Sequence, residues 1–226
     1  MVRAVLFDVD DTLSDWPAAV EKTLDEVLPL VHGVEPMTIR ARFYEVLDEL
    51  YLVWRDGQVI DRIHWMLLVD PERSWKLTLP DGPAELWIQL AEAFRKAFRP
   101  VAFADAIPTL EALRPKYQLA VLSNNHLAEK VVRRLGLDGY FSRVLSAEDG
   151  CYKPHPRAFS RACDVLGLPP NEIAYVGDSI ENDIEGALPA GLLPIWLDRF
   201  GYNYEMPAGV HRITTLTELP TLLHSI

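Results

Sequence analysis

Four short polar clusters in this chain could do chemistry. The first is Asp8-Val9-Asp10-Asp11-Thr12-Leu13, in which Asp8 and Asp10 stand two residues apart. On an extended chain such residues share a side, so both carboxylates can face one bound molecule. The same spacing also suits an acidic turn, which Asp favours on its own account. The second cluster, Ser123-Asn124-Asn125, reads by itself as a helix cap before Leu127. The third is Lys153-Pro154, where a cation near a helix start opposes the helix dipole and hints at a task. The fourth is Gly177-Asp178-Ser179 with Asp183 five residues further on, another pair of acids that could be caps.

The elements around these clusters place them together. Val5-Leu6-Phe7, Leu119 to Leu122, Val144-Leu145, Ile173 to Val176 and Leu193 to Leu197 are short apolar runs that predict buried strands. Between them lie helical segments: Leu127 to Leu135 closed by Gly136, Pro156 to Leu166 closed by Gly167, and Ile180 to Ala190 closed by Gly191. Pro108 and Pro115 frame one more. Alternation of this kind predicts an α/β fold, a Rossmann-like parallel sheet covered on both faces. In such a sheet the ligand crevice lies beyond the carboxyl ends of the strands, where all four clusters fall.

Residues 15–100 break the alternation and read as an inserted all-helical domain, leaving 1–14 and 101–226 as the α/β core. The apolar stripes are Val20, Leu24, Val27 and Leu28; Ile39, Phe43, Val46, Leu47 and Leu50; Ile60, Ile63 and Leu67; and Leu86, Leu90, Phe94 and Phe98. Trp16, Trp54, Trp65, Trp75 and Trp87 all fall here, and packing among the helices is their expected role. Asp70 to Pro83, rich in proline and polar residues, reads as the longest loop.

Bulk properties narrow the function. In 226 residues the formal charge is −11, which gives no electrostatic footprint for nucleic acid. No apolar run is long enough to span a bilayer and no signal sequence is evident, so no membrane role and a cytoplasmic address are expected. Cys151 and Cys163 have neither metal-site spacing nor the density of a disulfide scaffold, and oligomeric state is not legible. Any anionic substrate must find a local cation.

Taken together, and in their order along the chain, the four clusters resemble the motifs of the haloacid dehalogenase-like hydrolase superfamily, and the helical insertion just after the first resembles its type-one cap. The resemblance implies a magnesium-dependent phosphomonoester hydrolase that acts on a small phosphorylated metabolite through an aspartyl-phosphate. Asp8 would be the nucleophile, and Asp10 the general acid and base. Mg2+ would be held by Asp8, Asp178 and the Asp10 carbonyl, with Asp183 behind a bound water. Lys153, Ser123 and Asn124 would bind the phosphoryl oxygens, and Thr12 would brace the turn. Cap motion would hinge near Leu13 to Trp16 and Arg99 to Asp105, and specificity would reside in the cap, where Arg40, Arg42, Arg55 and Arg62 are available cations.

One position departs from a common family pattern: Asp11 stands where phosphate-ester enzymes often have Gly. The dehalogenase branch lacks an acid at the position of Asp10, because a halide leaves without a proton. A hexose-phosphate mutase shares all four motifs and differs only in whether water or a sugar hydroxyl takes the phosphoryl group. From another class, a receiver-like signalling domain or a catalytically retired binding protein would use similar acids. Receivers, however, lack a helical insertion, and every reactive position here is filled. His126 and His155 flank the second and third clusters and could touch a substrate, though a surface-loop histidine with no assigned task is the commoner case.

Overall fold

A computed structural model describes residues 1–55, 71–146 and 152–226, with side chains described to residue 47 in the first stretch. Along the chain the elements run β1 (Ala4–Phe7), α1 (Trp16–Val27), α2 (Pro36–Arg55), α3 (Pro71–Thr78), α4 (Ala84–Ala97), α5 (Ala106–Leu113), β2 (Gln118–Ser123), α6 (Ala128–Arg134), β3 (Arg143–Ser146), α7 (Pro156–Leu166), β4 (Ile173–Gly177), α8 (Glu185–Ala187), β5 (Leu193–Leu197), β6 (His211–Ile213) and α9 (Leu219–Ser225). They form two compact units, Met1–Trp16 with Pro100–Ile226, and Pro17–Arg99.

The first unit is a six-stranded sheet in the order β3-β2-β1-β4-β5-β6. Every pairing is parallel, with Val5 of β1 opposite Leu119 on one side and Ala174 on the other. Alternate residues of β1 serve opposite faces. Val5 and Phe7 join Leu110, Val132 and Leu219 in one apolar layer, while Ala4 and Leu6 join Phe159, Ala162 and Leu166 in the other. Burial of both faces explains why the strands are continuous apolar runs rather than alternating ones. The layer under α7 is set by clear end signals. Pro156 opens the helix, the His155 ring accepts the Arg157 N–H at 3.2 Å, and Gly167 ends it at φ 67°. This capping bond assigns His155 a structural task.

Two local expectations need correction here. The sheet has a sixth strand, β6, which is short and carries His211 and Arg212, so it lacks the apolar run that marks a buried strand. The continuous helix expected over Ile180 to Ala190 is instead a π turn, Ile180–Ile184, followed by the single turn α8. The N–H groups of Asp183 and Ile184 both reach the Ser179 carbonyl, at 2.9 and 3.3 Å, so the first turn is one residue wide of an α-helix. Such widened turns are frequent at functional sites.

The second unit is helical. Trp75, Phe43 and Phe94 are fully buried in it, with the Phe43 ring 4.9 Å from Trp75 and 5.9 Å from Phe94. Trp75 lies on α3, inside the stretch expected to be a loop. Its prolines punctuate the helix rather than prevent it: Pro71 occupies the first turn, Pro80 follows the end, and Glu72 and Lys76 complement the dipole. Val20, Leu24, Val27, Leu28, Ile39 and Val46 are buried as their stripes require. Arg40 pairs with Glu21 and Asp25, and Arg42 with Glu45, so both have intrahelical-unit partners. The stripe at Ile60, Ile63 and Leu67, with Trp65, Arg62 and Cys151, lies outside the described residues, as do the side chains of Leu50, Trp54 and Arg55. Among the described residues no helix is long and apolar enough to cross a membrane.

Candidate active site

β1 carries the chain to Asp8, whose N–H still pairs with the Val176 carbonyl at 2.9 Å. The backbone then folds back tightly: the N–H groups of Leu13 and Ser14 both bond the Val9 carbonyl at 2.8 Å, and Asp11 N–H bonds Ser14. Asp11 sits at φ 57°, in the left-handed region. Glycine enters that region without cost, and Asp is among the few other residues that tolerate it. The backbone therefore explains both the common Gly and the Asp found here.

The ends of β1 and β4 and the start of α7 bring Asp8, Lys153 and Asp183 into one buried cluster. Lys153 Nζ donates to Asp8 Oδ1 at 2.7 Å, to Asp183 Oδ1 at 2.7 Å and to the Tyr175 hydroxyl at 3.0 Å. Lys153 is only 4% exposed, and a buried ammonium persists only when its N–H groups are met. Lys153 is held from behind as well. The Asn124 side chain accepts its backbone N–H at 2.7 Å and donates to its carbonyl at 2.9 Å. The Asn124 carboxamide thus clamps the lysine backbone.

Asp183 is fully buried. Its Oδ2 accepts the Ser179 N–H at 3.0 Å, and its Oδ1 accepts from Lys153 and from Tyr175 at 2.8 Å. The carboxylate lies over Gly177 so closely that a Cβ there would meet Asp183 Oδ2 at 2.2 Å. Glycine is required at 177 by this close approach, not by φ. Asp178 is partly exposed; its Oδ1 accepts from Thr12 Oγ1 at 3.3 Å, and its backbone carbonyl accepts the Trp196 indole N–H at 2.9 Å. Thr12, expected to brace the turn, therefore links the turn to the end of β4.

Asp8, Asp178 and Asp183 offer oxygens that all lie within 4.8 Å of one another. Burial, and then the charges of Asp183, Asp11 and Asp8, push the Asp178 carboxyl well above the usual carboxylate range, with Lys153 opposing. Among the described residues the Lys153 ammonium does not by itself balance this concentration of acids. Hard oxygen donors in excess of local positive charge fit a hard divalent cation. Asp10 is not a side-chain member of this group; its Oδ2 accepts from Asn125 Nδ2 at 3.0 Å. Asn125 N–H bonds Ser123 Oγ at 3.2 Å, which leaves the Ser123 O–H as a donor. His126 lies outside this cluster, its ring nitrogen 3.1 Å from the Tyr152 hydroxyl.

Two residues escaped the sequence reading, Trp196 and Tyr175, while Asn125 was legible as part of the second cluster but not as the partner of Asp10. Tyr175 left one signal, a phenol in the middle of an otherwise aliphatic strand run. Burial, then the nearby Asp183 carboxylate, pushes its hydroxyl well above the usual phenol range, so it stays protonated.

A family model described as haloacid dehalogenase-like hydrolase matches residues 2–191. The chain is 30% identical over 248 residues to (S)-2-haloacid dehalogenase 4A of Burkholderia cepacia, which covers 98% of this chain and 95% of that protein. It is likewise 30% identical over 218 residues to glyceraldehyde 3-phosphate phosphatase of Methanopyrus kandleri, over 90% of this chain and 87% of the relative. Among solved structures, the HAD-hydrolase YfnB from Bacillus subtilis bound to magnesium has the same fold, with a TM-score of 0.77 at 22% identity and 98% coverage of each chain. With its four motifs gathered at one edge of a parallel sheet, and with the family match spanning most of its length, the chain belongs to the haloacid dehalogenase-like hydrolases.

Proposed function

We propose that this hydrolase is a magnesium-dependent phosphatase of small phosphomonoesters. The reading rests on one arrangement, the convergence of Asp8, Asp178 and Asp183 beside Lys153. A carboxylate that displaces halide from carbon has no need of so much paired charge. One that attacks a phosphate anion must overcome Coulomb repulsion, on the order of several kcal/mol at close range in a protein interior. Mg2+, held by Asp8, Asp178 and the Asp10 carbonyl with Asp183 in support, would supply the neutralising charge and orient the phosphate.

The protein's own residues do the rest. Asp8 attacks phosphorus and becomes the aspartyl-phosphate. Lys153, fixed by Asn124, balances charge on Asp8 and on the phosphoryl oxygens, and the Ser123 O–H donates to those oxygens. Asp10, oriented by Asn125, gives a proton to the leaving alcohol and then takes one from the water that cleaves the acyl-phosphate. The inserted helical unit is assigned to substrate selection.

The 30% identity to a haloacid dehalogenase supports a second reading, in which Asp8 attacks carbon. Asp10 argues against it, since halide departure needs no acid. Phosphate and chloride release should be measured on a panel of sugar phosphates, nucleotides, short organic phosphates and (S)-2-chloropropionate, with and without Mg2+. Mg2+-dependent phosphate release that falls by at least about 100-fold in Asp8→Asn, the loss of the nucleophile, is expected. Chloride release with no phosphate release would favour the dehalogenase. A hexose 1-phosphate converted to its 6-phosphate without free phosphate would instead indicate a mutase.

A further inference from the structure

Tyr175 lies on β4 with its ring packed edge-on against Phe159, centroids 5.2 Å apart, in the layer under α7. A phenylalanine would fill that space equally well. Burying the extra hydroxyl costs free energy unless it is bonded, and the Leu122 carbonyl 3.2 Å away would satisfy it alone. Instead the oxygen also reaches Lys153 Nζ at 3.0 Å and Asp183 Oδ1 at 2.8 Å.

These contacts close a ring. Lys153 Nζ and the Tyr175 hydroxyl both donate to Asp183 Oδ1, and Lys153 also donates to Tyr175. An ammonium on a flexible four-carbon stem has three N–H groups. Asp8, Asp183 and Tyr175 supply three acceptors that triangulate it. Asp183, whose other oxygen is held by the Ser179 N–H, acquires a second fixed donor that carries no charge. A neutral donor can stay on a carboxylate that must also face a cation, without competing for the negative charge as a second lysine would.

We infer that Tyr175 is a positioning residue of the hydrolase: its hydroxyl sets Lys153 and Asp183 relative to each other and so holds the lysine on Asp8 and the carboxylate beside the cation site. The inference rests on the proposed use of this cluster and adds to it a residue outside the four motifs. Groups that orient ligands at a metal site typically matter by about 10- to 100-fold in affinity or activity.

The test is Tyr175→Phe, which keeps the ring. The expected result is a kcat lowered about tenfold with KM within about twofold, and Mg2+ binding to the substrate-free protein weakened about tenfold by calorimetry. In a double-mutant cycle with Asp183→Asn, the calorimetric losses should be strongly non-additive, because the hydroxyl acts through that carboxylate. A merely structural role would lower the melting temperature and leave the cycle additive. An unchanged kcat and Mg2+ affinity, or an additive cycle, would overturn the inference. The calorimetric arm needs no substrate, so a parent protein that binds Mg2+ but hydrolyses no ester would defeat the phosphatase reading while still deciding the role of Tyr175. A parent that binds no Mg2+ would overturn both.

Discussion

Lys153 is as buried as many residues of the apolar core, yet it carries a charge, and the reason is local. Its ammonium has acceptors at 2.7, 2.7 and 3.0 Å, and the lysine backbone is clamped by Asn124. The cluster therefore stands already assembled, a condition for electrostatic catalysis that costs no reorganisation during reaction. Asp11 illustrates a different residue-level constraint, since its φ of 57° concerns the backbone and not the charge. Asp11→Gly should leave stability unchanged or slightly higher, whereas Asp11→Val should lose about 1–2 kcal/mol from strain in the left-handed region. Urea denaturation of the two variants checks this. Equal stability of both would show that the side chain, and not φ, governs the position.

At the scale of elements, the turn after β4 matters most. An uninterrupted α-helix after β4 would have made a simpler crossover, but the π turn at Ile180–Ile184 accompanies an Asp183 carboxylate laid over the end of the strand. Gly177 makes that placement possible. In Gly177→Ala the new methyl would overlap Asp183 Oδ2, at 2.2 Å, and the carboxylate would have to leave its bonds to Lys153, Tyr175 and Ser179. Turnover and Mg2+ affinity should each fall more than about tenfold, as when a ligand-orienting contact is lost. Retention of both would mean that the turn shifts as a unit. α3 carries a parallel lesson: Trp75 and its flanking signals made a helix where prolines had suggested a loop.

For the molecule as a whole, the two crossings that lead into the helical insertion are paired with each other. Asp15 N–H bonds the Val101 carbonyl at 2.7 Å, and Phe103 N–H bonds the Leu13 carbonyl at 3.0 Å. Beside them, Arg199 grips Asp105 with two N–H groups at 2.9 and 3.0 Å, bonds the Thr12 carbonyl at 2.8 Å and stacks on the Phe103 ring. Asp105 also accepts from Thr215 and from the Leu216 N–H, so one carboxylate joins segments more than 100 residues apart. Burial pushes the Asp105 carboxyl up, but its hydrogen bonds and the Arg199 charge outweigh this and leave its pKa below the usual value. A carboxylate depressed in the folded state adds stability above its unfolded pKa, near 4, and loses it as pH falls through the folded value. Asp105→Asn should cost on the order of 3 kcal/mol at neutral pH, because it leaves Arg199 without its counter-charge. The deficit relative to the parent should shrink below about pH 4. A deficit that stays constant down to pH 3 in urea titrations would show that charge is not involved.

The sequence by itself determined the parallel α/β core, the helical insertion and the four clusters, because each depends on local pattern. Apolar runs of strand length, helix stops at Gly136 and Gly167, and acids after strands are short-range signals. The tertiary structure decided what each group faces. It turned the Asn124 amide onto the Lys153 backbone, put Asn125 against Asp10, laid Asp183 over Gly177 and brought Tyr175 and Trp196 from the strands into contact with the motif residues. These contacts join residues up to 115 positions apart, and no local pattern encodes them. They arise when the sheet packs and every buried donor must find an acceptor.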